Sequence, residues 1–242
     1  MFEVGPPSAT ATCSAVVVAG WVPCRLRRAS RQDNSGELVP NARPVKQAPY
    51  RLHPDKLRSV NLQIASLLAE GIIEESTSAW AAPILVVPKP DGTGRLCVDF
   101  RQLNAVTVPD PFPMPRIDAL LDRLGGAVFM TKLDMTKAYF QVPVAPEHVH
   151  LTGFVTSQGH WRYMAYGLRN VPATFSRLVD KIFKGLEDYC EAYLDNVMVF
   201  RRSWEDHLNY LHNVFVRVQL ANLTLNISVS LPMPRSISWV TP

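Results

Sequence analysis

The sequence predicts an α+β fold, and three observations carry that prediction. Phe175, Leu178, Val179, Ile182, Phe183 and Leu186 recur at helical spacing, and Leu208, Leu211, Val214, Phe215 and Val218 do so again. Short apolar runs bounded by turn residues, such as Ile84–Val87 and Arg95–Val98, read as strands. Phe129–Asp134 alternates with the period of two that marks a half-buried strand. The 242 residues are 47% hydrophobic and 19% charged, which excludes a wholly disordered or collagen-like chain. No apolar run is long enough to span a membrane. Cys13, Cys24, Cys97 and Cys190 are far apart with no C-x-x-C pair, so neither a disulfide scaffold nor a zinc site is expected, and a reducing, intracellular setting (cytoplasm or nucleus) is the default.

The elements follow in order. Residues 1–46 read as a disordered, Pro-containing leader with a basic cluster at Arg25, Arg27, Arg28 and Arg31. Its apolar run Ser14–Val22 lacks the basic start of a signal peptide, and a nucleic-acid-touching arm is the sharper alternative. Pro54 suits the first turn of a helix, Leu57, Val60, Ile64, Leu67 and Leu68 share one face, and Gly71 stops it. Residues 84–99 form a hairpin around Pro90-Asp91-Gly92. Prolines 109, 111, 113 and 115 make a stiff connector into a short helix, Arg116–Leu124, closed by Gly125-Gly126. Strands are expected at Phe129–Asp134, Phe140–Val144, Leu151–Val155 and Trp161–Tyr166, with a helix from Pro172. Ala192–Leu194 and Val197–Phe200 are strands with Asp195-Asn196 in the turn between them. Ser203 caps a last helix, and Ile227–Pro242 reads as an irregular tail.

The net charge of +4 is uneven: residues 1–46 hold six Lys/Arg against three Asp/Glu. The rest is nearly neutral, so any polyanion must meet a local basic patch. Two carboxylates draw notice by position. Asp134 ends a strand and Asp195 sits in a hairpin turn. Across an antiparallel sheet they can converge to hold hard divalent cations, for which carboxylate oxygen is the preferred ligand. From spacing alone this signal is weak, and ordinary strand-end and turn carboxylates are the default reading.

Six ordered blocks extend the reading. They are Leu67–Glu74; Trp80–Pro83 with Val86–Lys89; Arg95–Asn104; Leu133-Asp134-Met135 through Ala138–Gln141; Tyr166–Phe175; and Tyr193-Leu194-Asp195-Asn196. Over residues 47–226 the chain resembles the reverse transcriptase domain of retroviruses and gypsy-type long-terminal-repeat retrotransposons. The resemblance implies the fingers and palm of a right-hand polymerase, with an antiparallel palm sheet packed on helices. It implies template-directed deoxynucleotidyl transfer onto a primer, with RNA or DNA template–primer and deoxynucleoside triphosphates as partners. Asp134 and Asp195 are implied as ligands of two Mg²⁺ ions, with Mn²⁺ as a substitute. Tyr139 is implied as the ring that crowds a 2′-hydroxyl, Lys89 and Arg95 as triphosphate contacts, and Tyr166 and Gly167 as lining of the nucleotide pocket.

Departures from the family matter as much. Asn196 stands where the Tyr-x-Asp-Asp motif has its second aspartate. Ala165-Tyr166 replaces Pro-Phe, and Val171 replaces a small residue. The pattern ends near Asn226, so thumb, connection and ribonuclease H regions are expected to be missing. These departures set three expectations side by side: an impaired polymerase, a non-catalytic remnant that binds nucleic acid or a partner weakly, and an unstable fragment. His148 and His150 beside Glu147 could hold a metal but read as surface, as do His207 and His212. No P-loop, Gly-x-Gly-x-x-Gly or nucleophile-elbow sequence occurs.

Overall fold

Pro54 fixes the backbone angle at a helix start, and Val60, Ile64 and Leu67 recur on one face, so α1 (Pro54–Ala69) forms and buries that face. Gly71 follows at φ +67°, a left-handed conformation that costs glycine little. The structure is a computed structural model, describing residues 36–90, 94–163 and 166–230. After α1 come β1 (Glu74–Glu75), β2 (Ala82–Pro88), β3 (Gly94–Val98), α2 (Arg101–Ala105), α3 (Ile117–Leu124) and β4 (Phe129–Met135). Then follow β5 (Phe154–Thr156), β6 (Gly159–Arg162), α4 (Val171–Ile182), β7 (Cys190–Tyr193), β8 (Asn196–Arg201), α5 (Trp204–Leu220) and β9 (Leu225–Ser230).

These strands make two sheets, in the orders β1-β6-β5-β2-β3 and β7-β8-β4-β9. Each sheet serves its own core. The first gathers Val60, Ile64, Trp80, Phe100, Phe154 and Trp161. The second gathers Leu133, Phe175, Val179, Val197, Val199 and Val214 beneath α4 and α5. The first lobe occupies the place of the expected fingers and the second that of the palm. The hairpin of β2 and β3 pairs Ile84 with Val98 through Pro88 with Gly94, as the sequence predicts. The proline connector runs as a strap along α4. Asn170 donates to Val108 O at 2.8 Å, and the Asp110 amide donates to Asn170 Oδ1 at 3.0 Å. Arg177 bonds both Asp110 oxygens and lies 4.7 Å above the Phe112 ring. Those bonds hold the Asp110 carboxyl below its usual range.

Several expected boundaries move. Phe140–Val144 is not a strand; Ala138–Gln141 winds as a 3-10 turn after Lys137 takes φ +46°, which breaks the extended path. Pro146–Thr152 is likewise a 3-10 segment, so the strand expected over Leu151–Val155 begins only at Phe154. The strand expected over Trp161–Tyr166 is β6, which ends at Arg162 before Tyr163 at φ +88°. The tight turn is Leu194-Asp195, and Asn196 is the first residue of β8, paired with Tyr193. A two-residue hairpin needs a positive φ, and Leu194 supplies it at +54°. His207 is not on the surface: it is fully buried, with Nε2 2.8 Å from Thr131 Oγ1. The sheet-facing stripe of α5 is His207, Val214 and Val218, while Leu208 is exposed. His150 and His212 are exposed as expected, and His148 is half-buried with Nδ1 accepting from the Gly36 amide.

Order begins before residue 47. The Val39 amide donates to Val106 O, the Val108 amide to Glu37 O, and the Ala81 amide to Val45 O, at 2.8–2.9 Å. At the other end β9 continues past Asn226, so Ile227–Ser230 belong to the sheet rather than to an irregular tail. The expectations for residues 1–35, for the turn residues 91–93, for 164–165 and for 231–242 lie outside the described residues.

Candidate active site

The site begins with pleating. Leu133 and Met135 are buried in the palm core, so Asp134 between them faces the other side of β4. It stands directly across from Asn196 on β8. The Met135 amide donates to Asp195 O at 2.9 Å, which locks the hairpin turn onto the end of β4. Asp134, Asp195 and Asn196 thus meet at one corner of the sheet, each partly buried. Core packing behind the corner is dense: Val197 and Val199 on β8 are at most 1% exposed. A rigid sheet is a better carrier for such a constellation than a loop.

Asn196 Nδ2 donates to Asp195 Oδ1 at 3.2 Å, while its own amide oxygen is buried with no partner. An orphaned acceptor in such a place costs stability unless something binds there. Among the described residues neither Asp134 nor Asp195 forms an ion pair. The donors at the corner are therefore two carboxylates and one amide oxygen, all hard oxygen, which fits a divalent cation of the magnesium class in kind. The set carries one negative charge fewer than three carboxylates would. Among the described residues no cluster of three or more His, Cys, Asp or Glu is arranged to hold a metal.

Aromatic rings wall the corner. The Tyr139 ring lies 5.2 Å from Tyr166 and 5.7 Å from Phe175, both edge-on, and Phe140 meets Tyr166 at 4.6 Å. Burial pushes the Tyr166 hydroxyl up to about 12, with Asp195, Tyr139 and Asp134 adding to the rise and Arg95 opposing it. Burial, then Asp195, raises Tyr139 too. Asp134, Asp195, Tyr139, Tyr166 and Arg95 thus share one electrostatic neighbourhood. Lys89 does not join it: it is exposed beyond β2 and, among the described residues, forms no ion pair.

Gly167 has φ +92°, and a Cβ there would stand 3.3 Å from Val98 O, so only glycine fits comfortably. Asn104 donates to Gly167 O at 2.8 Å and accepts the Arg169 amide at 2.9 Å, pinning this segment to α2. Gln63 on α1 plays the same part for Arg95. Its Nε2 donates to Gly94 O at 3.0 Å and its Oε1 accepts from the Leu96 amide at 3.1 Å. Asp99 is buried, bonded by Arg101 and Tyr50, and its carboxyl falls to about 2, chiefly through the Arg101 hydrogen bonds. Sequence reasoning did not single out Gln63, Asn104 or Gln141. Only Gln141 carried a signal, as the one amide in the otherwise apolar run Ala138–Val144; Gln63 and Asn104 each lie two residues from another amide, Asn61 and Gln102.

The family model described as reverse transcriptase (RNA-dependent DNA polymerase) matches residues 87–230. The chain is 37% identical over 192 residues to the retrovirus-related Pol polyprotein from transposon 297 of Drosophila melanogaster, covering 76% of this chain and 18% of that one. It is 33% identical over 180 residues to the transposon Tf2-3 polyprotein of Schizosaccharomyces pombe, covering 73% of this chain and 14% of that one. The chain therefore spans under a fifth of the length of these relatives. Among solved structures, the foamy viral protease-reverse transcriptase in complex with RNA/DNA hybrid superposes with a TM-score of 0.78 at 21% identity, over 87% of this chain and 28% of that one. The native prototype foamy virus protease-reverse transcriptase does so with a TM-score of 0.74 at 24% identity, over 85% and 28%. At that identity the likeness is one of fold, α+β with fingers and palm. The transposon polyproteins and the matched model together decide the family: the chain belongs to the reverse transcriptase (RNA-dependent DNA polymerase) family, in the form found in retrotransposon Pol polyproteins.

Proposed function

We propose that this chain is the fingers and palm of a gypsy-type reverse transcriptase, performing RNA-directed deoxynucleotidyl transfer at a rate reduced by Asn196. The observation that carries the reading is the register of β4 against β8, which sets Asp134 opposite Asn196 and beside the Asp195 turn. Asp134 and Asp195 hold the cations, Mg²⁺ or Mn²⁺. When bound, such ions stabilise the charge that develops on the phosphate and on the attacking and leaving oxygens. The chain's own residues do the rest by positioning. Tyr139 presents its ring to the sugar and crowds a 2′-hydroxyl, which favours deoxynucleotides. Arg95 meets the triphosphate with a bidentate guanidinium, and Lys89 adds a point charge from the exposed end of the hairpin. Tyr166 and the side-chain-free Gly167 line the nucleotide pocket. The template–primer duplex lies across fingers and palm, and most of its affinity comes from salt-sensitive phosphate contacts.

Asn196 weakens the transfer because a neutral amide replaces an anion beside two dications. A loss of ~3–4 kcal/mol of transition-state stabilisation lowers the rate about 10²–10³-fold. A second reading is favoured by the same residue: the site binds template–primer and nucleotide without turnover. Primer extension on a homopolymer RNA template, with Mg²⁺ or Mn²⁺, separates the two when run beside Asn196→Asp. Slow extension by the parent and a 10²–10³-fold gain in the variant are expected. Activity in the variant alone supports the binding-only reading for the parent. Extension by neither, or full activity in the parent, overturns the proposal. Among the described residues no helix is long and apolar enough to cross a membrane. A reducing compartment, cytoplasm or nucleus, is the setting that the cysteine usage favours.

A further inference from the structure

We propose that Gln141 is a positioning residue for the nucleotide gate: its carboxamide completes the β4–β9 ladder where the backbone leaves it, and so fixes Tyr139 relative to Asp134. The proposal rests on the polymerase reading above and adds a determinant of sugar selection to it. β4 and β9 pair through Asp134 with Asn226 and Met135 with Leu225. One step later the Thr136 amide still donates to Thr224 O at 3.0 Å. Lys137 then turns to φ +46° and the strand is over.

Gln141 takes up the groups left behind. It is 0% exposed. Its Nε2 donates to Thr136 O at 2.6 Å and to Thr224 O at 2.9 Å, and its Oε1 accepts from the Thr224 amide at 2.7 Å. A side-chain amide thus stands in for a peptide unit between two strands. A carboxamide, with two N–H donors and an acceptor oxygen in one plane, can make all three of these bonds, and asparagine has the same groups with poorer reach. The arc from Asp134 to Gln141 is consequently held at both ends, by the β8 pairing at Asp134 and by this amide at Gln141. Midway, Lys137 Nζ bonds Oε2 of Glu70, the C-cap of α1, at 2.6 Å, which ties the arc to the fingers. Tyr139 is carried on the 3-10 turn that Gln141 closes. Misplacement of a gating ring by about 1 Å is enough to change selection at a reacting centre.

The test compares Gln141→Met, which keeps the shape and loses every bond, with Gln141→Glu, which keeps the acceptor and loses both donors. Val218→Ala, in the palm core on α5, is the control for a general loss of stability. Dissociation constants for dGTP and GTP are measured on complexes with template and a dideoxy-terminated primer in Mg²⁺. The ratio of the GTP constant to the dGTP constant should fall about tenfold in Gln141→Met and less in Gln141→Glu, with template–primer affinity unchanged and Val218→Ala at the parent ratio. Hydrogen exchange supplies a readout independent of nucleotide. Amides of residues 134–140 should exchange at least tenfold faster in both Gln141 variants and not in Val218→Ala. An unchanged ratio with unchanged exchange overturns the proposal, as does an equal change in Val218→Ala. A parent chain that binds neither nucleotide overturns the polymerase reading and the role in sugar selection with it, whereas the anchoring of the arc is then decided by exchange alone.

Discussion

Fingers and palm solve different problems with the same kind of sheet. The palm sets its strand β4 between β8 and β9, so both edges of the strand bearing Asp134 are paired. The fingers end in β3, an edge strand bearing Arg95, whose outer side is bonded by Gln63. Behind Asp134 lies a closed apolar core, whereas Leu85 and Val87 on the fingers hairpin are 36% and 46% exposed. The difference teaches where rigidity is needed. Carboxylates that gather cations must be fixed relative to each other, because small displacements weaken every ligand at once. On the proposed function, Arg95 and Lys89 meet a flexible triphosphate and gain from an arm that can adjust.

Substitutions can break or sharpen this contrast. The largest effect should come from Phe175→Ala in the palm, since Phe175 is 1% exposed and supports the Tyr139 ring edge-on. A loss of about 3–5 kcal/mol is expected, read by urea denaturation. A loss below about 1 kcal/mol would mean that the palm core is looser than its packing indicates.

Acid should separate the two lobes next. His207 is buried in the palm, and desolvation lowers its affinity for a proton. Palm stability is then complete above about pH 6.5 and drains as the pH falls, because the unfolded chain takes up a proton that the folded one resists. Asp99 in the fingers is depressed to about 2, chiefly by Arg101, so its contribution survives to about pH 4 and is lost on the way down to 2. Tryptophans report the lobes separately: the Trp204 ring stacks 6.0 Å from His207, while Trp80 and Trp161 lie in the fingers core. With Trp21 and Trp239 changed to Phe, Trp204 emission should move first on acidification. The reverse order would refute the contrast.

Gln63→Met should have a smaller effect, about 1 kcal/mol, concentrated in hydrogen exchange at Leu96. Val87→Ala on the exposed hairpin should stay within about 0.5 kcal/mol of the parent, and a larger loss would show that the arm is buttressed after all.

Much of this was legible in the sequence because it depends on period. The α4 and α5 stripes, the β2–β3 hairpin and β4 all announce themselves by the spacing of apolar residues. The strands expected at Phe140–Val144 and from Leu151 were misread for a physical reason. Short apolar runs fit a buried 3-10 turn as well as a strand, and Lys137 gives no warning that it will adopt a positive φ. His207 was misplaced because a histidine in the sheet-facing stripe looks polar, although Thr131 satisfies one of its nitrogens. Asp134, Asp195 and Asn196 were visible as motif positions. Gln63, Asn104 and Gln141, which support Arg95, Gly167 and the arc after Asp134, were not visible as supports, since each bonds backbone groups far away in the chain.

The position of β9 has a consequence for how the molecule is made. Its partner β4 is synthesised some ninety residues earlier. During translation the strand bearing Asp134 therefore waits with one flank bare until residues near 225 have left the ribosome, and bare flanks invite pairing between nascent chains. Slow synthesis over α5 would prolong that interval, so the yield of native molecules should depend on codon choice there more than in the segment encoding the fingers.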